Sequence, residues 1–109
     1  MTTTEVHTAE FRLVVHPGGI LGEELEELGI SARELARQIN VPANRITQII
    51  RGQRGISGDT ALRLGRWFGT SPEFWMNLQK TYELNLARQM VGDEIEKLRQ
   101  REQHTEAAE

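Results

Sequence analysis

Asn44, Thr47, Gln48 and Arg51 recur at separations of three, one and three residues, so on a helix they share one broad face. The chemistry of that face is hydrogen bonding to flat, polar edges. The amides of Asn and Gln complement the donor and acceptor of adenine, Arg complements the two acceptors of guanine, and the Thr methyl packs on that of thymine. Ile46, Ile49 and Ile50 fall on the other side of the same segment, which gives it an apolar anchor. Because a groove admits chiefly the N-terminal half of such a helix, base contacts are expected from Ala43, Asn44, Arg45, Thr47 and Gln48. Arg33, Gln38, Arg51 and Arg54, with the amide end of the preceding helix, are expected on phosphates, which position a protein without reading sequence.

Charge supports that division. From Ser31 to Arg66 seven arginines stand against Glu34 and Asp59, a balance of +5, so the remainder of a chain with formal charge −3 carries −8. Local field steers a polyanion, and a basic centre between acidic flanks suits two different partners. Catalysis has little to start from. His7, His16 and His104 lack metal-ligand spacing, and the chain has no cysteine, so neither a metal site nor a disulfide framework is expected. Glu23, Glu24, Glu26 and Glu27 read as a solvated helix face rather than paired catalytic carboxylates. The expectation is therefore a non-enzyme without metal or cofactor. No apolar run reaches the length of a membrane span and no signal peptide is evident, which points to the cytoplasm.

The elements that must position these residues follow from caps and breakers. The stretch 1–15 reads as an extended arm, with Phe11, Leu13 and Val15 alternating. His16 to Gly19 is a breaker cluster, and Ile20, Leu21, Leu25 and Leu28 then recur at helical spacing until Gly29. Ser31 and Glu34 stand as a capping box before Leu35, Ala36 and Ile39. Asn40 tolerates the left-handed backbone of a short turn, and Pro42 opens the next helix, which ends at Gly52. Ser57 caps a fourth helix carrying Ala61, Leu62, Leu64, Trp67 and Phe68; Gly65 inside it costs about 1 kcal/mol relative to alanine, a sign of close backbone packing. Ser71-Pro72-Glu73 opens a fifth with Phe74, Trp75, Leu78, Tyr82 and Leu86. Beyond Gly92 the sequence is highly charged, and 92–109 reads as a fraying helical extension and tail.

Two short helices joined by a tight turn, with small Ala36 at the crossing and Ile46 and Ile49 between them, form a helix-turn-helix. Leu35-Ala36, Val41-Pro42, Arg45-Ile46-Thr47, Ile50-Arg51-Gly52 and Arg54-Gly55-Ile56 resemble the Xre type. His16-Pro17-Gly18, Asp59 to Leu64, Phe68-Gly69-Thr70-Ser71 and Phe74-Trp75-Met76-Asn77-Leu78-Gln79 resemble the HigA antitoxin branch of that type, over roughly Val15 to Ala87. The resemblance implies an all-α, five-helix, lambda-repressor-like domain over 16–91 that dimerises and binds double-stranded operator DNA over its own promoter. It also implies a partner, a small RelE-like ribonuclease toxin, HigB. A basic toxin would favour the acidic face Glu23, Glu24, Glu26 and Glu27. Phe74, Trp75, Leu78, Tyr82 and Leu86 offer more apolar surface than one small core needs and are the expected dimer interface. An orphan repressor without a toxin is the alternative.

Overall fold

In a computed structural model, which describes residues 14–102, the chain forms five α-helices: α1 Pro17–Leu28, α2 Ala32–Gln38, α3 Ala43–Ile50, α4 Gly58–Phe68 and α5 Pro72–Glu96. Three begin at serines whose hydroxyl oxygens accept a backbone N–H three residues on: Ser31 from Glu34, Ser57 from Thr60 and Ser71 from Phe74. Each cap satisfies an amide that the helix itself leaves without a partner. The arm and tail expected at the two ends lie outside the described residues, apart from Val14, Val15 and 92–102.

The first helix departs from expectation. It starts at Pro17 rather than after Gly19, because His16 is its cap: the imidazole Nδ1 accepts the Gly18 N–H at 2.9 Å. Proline is well suited to the first turn, where its missing N–H is no loss. Gly18 is there for space, since a Cβ on it would lie 1.7 Å from the carbonyl oxygen of Ile49. The start of α1 thus rests on the end of α3, and what reads as a breaker cluster is a contact point.

The core is built from one stripe of each helix. Leu21 and Leu25 of α1, Leu35 and Ala36 of α2, Ile46 and Ile49 of α3, Ala61 and Leu64 of α4 and Trp75 of α5 are all buried, with Ile39 and Ile56 between elements. Each large aliphatic side chain among them contributes about 1.5–3 kcal/mol by leaving water. Ala36 sits where α2 and α3 pack, and Gly65 brings α4 onto the turn before α5, where a Cβ would lie 2.9 Å from the Thr70 carbonyl oxygen. Leu62, expected inward, is 63% exposed. It lies one residue past Ala61, off the stripe that Ala61, Leu64 and Gly65 define. Leu28 is likewise exposed.

α5 runs 25 residues and passes through Gly92 without a break. The change in composition at residue 92 is therefore not a change in backbone. One glycine costs about 1 kcal/mol relative to alanine, too little to stop a helix of this length. Among the described residues no helix is long and apolar enough to cross a membrane.

Candidate nucleic-acid interface

The turn between α2 and α3 is set by Asn40, whose φ of 61° is the left-handed value expected of it. The Val41 N–H returns to the Ala36 carbonyl at 3.0 Å, closing the turn on the small residue. Arg63 of α4 completes it: Nη1 donates to the carbonyl oxygens of Ile39 at 2.8 Å and Asn40 at 3.4 Å. These carbonyls end α2 without partners of their own, and a guanidinium is their natural complement. Nothing in the local sequence pattern marks Arg63 for this role; it lies 24 residues from Ile39 in the chain.

α3 divides as its sequence implies. Ile46 and Ile49 are fully buried, Ile50 is half-buried, and Ala43 and Asn44 face solvent in the first turn. The Thr47 hydroxyl donates back to the carbonyls of Ala43 and Asn44, at 3.4 and 3.3 Å. Its oxygen is thereby turned to the helix, which leaves the methyl as the group a thymine would meet. Gln48 is half-buried, with its Oε1 accepting from Arg54 Nε at 3.0 Å. Arg45 lies on the flank toward α4, where Nη1 donates to Asp59 Oδ1 at 2.8 Å. Asp59 also accepts from Arg63 Nε at 2.8 Å. The two guanidinium groups, Arg63 first and then Arg45, hold the Asp59 carboxyl below its ordinary value.

The residues expected on phosphates are not all together. Arg33 is exposed in the first turn of α2, next to Glu34, whose N–H Ser31 caps. Arg51 is the exposed C-cap of α3, and Arg54 lies in the loop after it. Gln38 does not join them. It closes the opposite end of α2, about 10 Å from Ser31 at 1.5 Å per residue, and both ends of its amide are engaged: Trp67 Nε1 donates to Oε1 at 2.7 Å, and Nε2 donates to Glu34 Oε2 at 2.7 Å. The bond from Trp67 joins α2 to α4. Glu34 differs from the expected capping box in the same way. Its amide meets Ser31, but its carboxylate turns to Arg37 and Gln38, which together hold its pKa at about 2.

The loop after α3 is fixed at both ends. Gly52 has φ 76°; its N–H returns to the Ile49 carbonyl at 3.0 Å, and that of Gln53 to the Gln48 carbonyl at 2.8 Å. That pair of bonds is a Schellman end, which needs a left-handed residue and so favours glycine. Farther on, the buried Gln79 of α5 accepts the Ile56 N–H at 2.8 Å. A Cβ on Gly55 would come within 2.7 Å of the same amide. Gln79 is a positioning residue that the sequence pattern does not reveal, because a buried glutamine and a surface one look alike until their neighbours are known.

On α5 the expected dimer residues separate. Trp75 is buried at 1% exposure, and its indole N–H donates to Thr70 Oγ1 at 3.1 Å, so it closes the core and offers nothing to a second copy. Leu78 packs against that core, and Tyr82 stands edge-on to His16. Leu86 is half-buried, whereas Phe74 is 43% exposed. Met76 and Met90 are open too, and three further exposed apolar residues of α5 are Leu84, Val91 and Ile95. At 100° per residue these three fall on one stripe, turned away from Trp75 and Leu78. On α1, Glu23, Glu24, Glu26 and Glu27 are all exposed.

Residues 21–75 match the family model described as helix-turn-helix. The chain belongs to that family. It is 50% identical over 76 residues to virulence-associated protein I of Dichelobacter nodosus, covering 69% of this chain and 70% of that protein. Among solved structures it resembles an addiction module antidote protein of the HigA family from Coxiella burnetii, with 48% identity and a TM-score of 0.78 over 81% of this chain and 97% of that one. It also resembles the Pseudomonas aeruginosa antitoxin HigA with the higBA promoter, at 47% identity and a TM-score of 0.77 over 80% and 97% of the two chains. The likeness to HigA that the motifs carry is thus matched in three dimensions, as is the five-helix fold.

Proposed function

We propose that this protein is a sequence-specific DNA-binding antitoxin that represses its own operon as a dimer and neutralises a small, basic, RelE-like toxin. The observation that carries the reading is the solvent face of α3. Asn44, the Thr47 methyl and Gln48 are displayed on one side of a helix whose other side is locked into the core by Ile46 and Ile49, in a fold shared with an antitoxin solved with its promoter. The bases are read by Ala43, Asn44, Thr47 and Gln48. Arg45, tied to Asp59, serves the flank, and Arg33, Arg51 and Arg54 with the start of α2 hold the phosphates. Two copies related by a two-fold axis set their recognition helices about 34 Å apart, one turn of DNA. The open stripe Leu84, Val91 and Ile95 is the apolar material for contact between copies. The acidic face of α1 is where a basic toxin docks, separate from the basic DNA face.

The test is a gel shift on the DNA upstream of the protein's own gene. Substituting Asn44, Thr47 and Gln48 together by alanine relaxes sequence preference, by about 1–3 kcal/mol for each good base contact. Arg51→Ala weakens all sequences alike and lowers the salt slope by about one. Equal binding of wild type and triple variant to every duplex overturns the assignment of α3. For the toxin, the product of a short basic reading frame beside the gene is expected to co-purify, and to do so less when the four α1 glutamates are changed to glutamine. Absence of such a frame favours the orphan repressor.

A further inference from the structure

We propose that Arg54 sets base preference as well as phosphate affinity: it orients the Gln48 amide so that the two side chains together present donors to the groove, the pattern that guanine accepts. The inference rests on the DNA-reading role of α3 given above. A free glutamine side chain suits adenine, which needs one acceptor and one donor, and it can exchange its two ends by rotating the terminal amide. Here Arg54 Nε donates to Gln48 Oε1 at 3.0 Å. A guanidinium carries five N–H donors and no acceptor, so only the oxygen end of the amide can face it. With Oε1 and Nε so paired, the Gln48 Nε2 hydrogens and the terminal N–H groups of Arg54 are the donors left for the groove. Two donors side by side match N7 and O6 of guanine; at adenine one of them meets the N6 amino group, donor against donor.

The contact is built in by the backbone on both sides of Arg54. Before it, Gly52 and Gln53 return their N–H groups to Ile49 and Gln48, folding the loop back over the end of α3. After it, Gly55 lies against Gln79, and Ile56 donates to Gln79 Oε1. Arg54 therefore approaches Gln48 from a loop already fixed at two points, so little ordering of that loop remains when DNA binds. A residue that only neutralised phosphate would need no such placement. A long cationic side chain on a free loop would serve as well.

The test is selection of binding sites from a pool of random-sequence duplexes, by wild type and by the R54A, R54K, Q48A and R54A/Q48A variants, with affinities then measured on the selected site and its single-base changes. Wild type is expected to select guanine at the position where Q48A ceases to discriminate. R54A and R54K are expected to lose that same preference, by roughly ten-fold or more, while preferences elsewhere in the site persist. R54K keeps the charge and so is expected to keep the salt dependence. The double variant loses no more preference at that position than either single one, the signature of two residues acting as a unit. If R54A binds every sequence more weakly by one common factor with the guanine preference intact, or if wild type selects adenine at the Gln48 position, the proposal is overturned while the role of α3 stands. Selection of no site at all by wild type would overturn both.

Discussion

Along α3, residues that fold the protein and residues that face outward fall on opposite sides: Ile46 and Ile49 are buried, Ala43 and Asn44 are exposed. α5 is apolar on two sides. Trp75 goes into the core with Leu78 packed beside it, and Leu84, Val91 and Ile95 face out on the far side. A one-sided helix declares its orientation by its period, since only one rotation buries its apolar stripe. A two-sided helix permits two rotations, and the choice between them is made by neighbours. In α5 the decision comes from Phe68, Thr70 and Gly65, which receive the Trp75 ring, its N–H and the turn before the helix. The difference also separates tasks, because what α3 leaves outside is mainly polar and suits a nucleic acid, whereas α5, among its exposed charged residues, keeps one apolar stripe open that suits another protein surface.

The comparison predicts a graded set of substitutions. Trp75→Ala empties a fully buried site and is expected to cost about 3–5 kcal/mol in chemical denaturation. A loss below about 1 kcal/mol would mean that this side of α5 is not core. Ile49→Ala removes the anchor of α3, with an expected cost of about 2–4 kcal/mol, while Asn44→Ala on the opposite face stays within about 0.5 kcal/mol. Comparable costs at the two positions would abolish the one-sided character of α3.

A smaller effect concerns the joint between the two regions, His16, which caps α1 and stands edge-on to Tyr82 of α5. Burial lowers its pKa from 6.5, so the folded state favours the neutral ring that accepts from Gly18. A lowered histidine gives stability that is complete above the unfolded value and is lost as pH falls through the folded one. Stability, followed by denaturation midpoints, is therefore expected to decline modestly as pH falls below about 6.5. H16N, which caps without titrating, is expected to flatten that decline. The carboxylates enter later: Glu34, lowered from 4.5 to about 2, withdraws its contribution only below about pH 4.5. Smallest in folding energy is Val91→Ser with Ile95→Ser, expected to leave the stability of a dilute single chain within about 0.5 kcal/mol. Sedimentation should show weaker self-association for the pair. An unchanged association constant would assign the open stripe of α5 to something other than a second copy.

Much of this arrangement is written in single residues. The serine caps at Ser31, Ser57 and Ser71, the left-handed Asn40 and the stripe of isoleucines in α3 each act through neighbours a few positions away, and a local pattern carries them. The close packing at Gly65 was legible because a glycine inside a helix needs a reason. What the sequence hides depends on partners far along the chain. His16 to Gly19 looks like a breaker until the Ile49 carbonyl is seen against Gly18, and Gln38 looks free until Trp67 reaches it. Arg63 on the carbonyls of α2 and Gln79 under the loop after α3 belong to the same class. In each case the residue type is compatible with a solvated surface, and only packing makes it structural.

The two bonds that close α3 on its loop also bear on how such a protein could change its target. Ala43 and Asn44 are exposed and the Thr47 hydroxyl bonds only within its own helix, so each is expected to be exchangeable without refolding the domain, and relatives could drift to new operators one position at a time. Gln48 is different, since its partner sits on a separate segment. A change there without a matching change at Arg54 would leave a cation addressing the wrong edge, so this position is expected to evolve as a linked pair and to resist single-step retargeting.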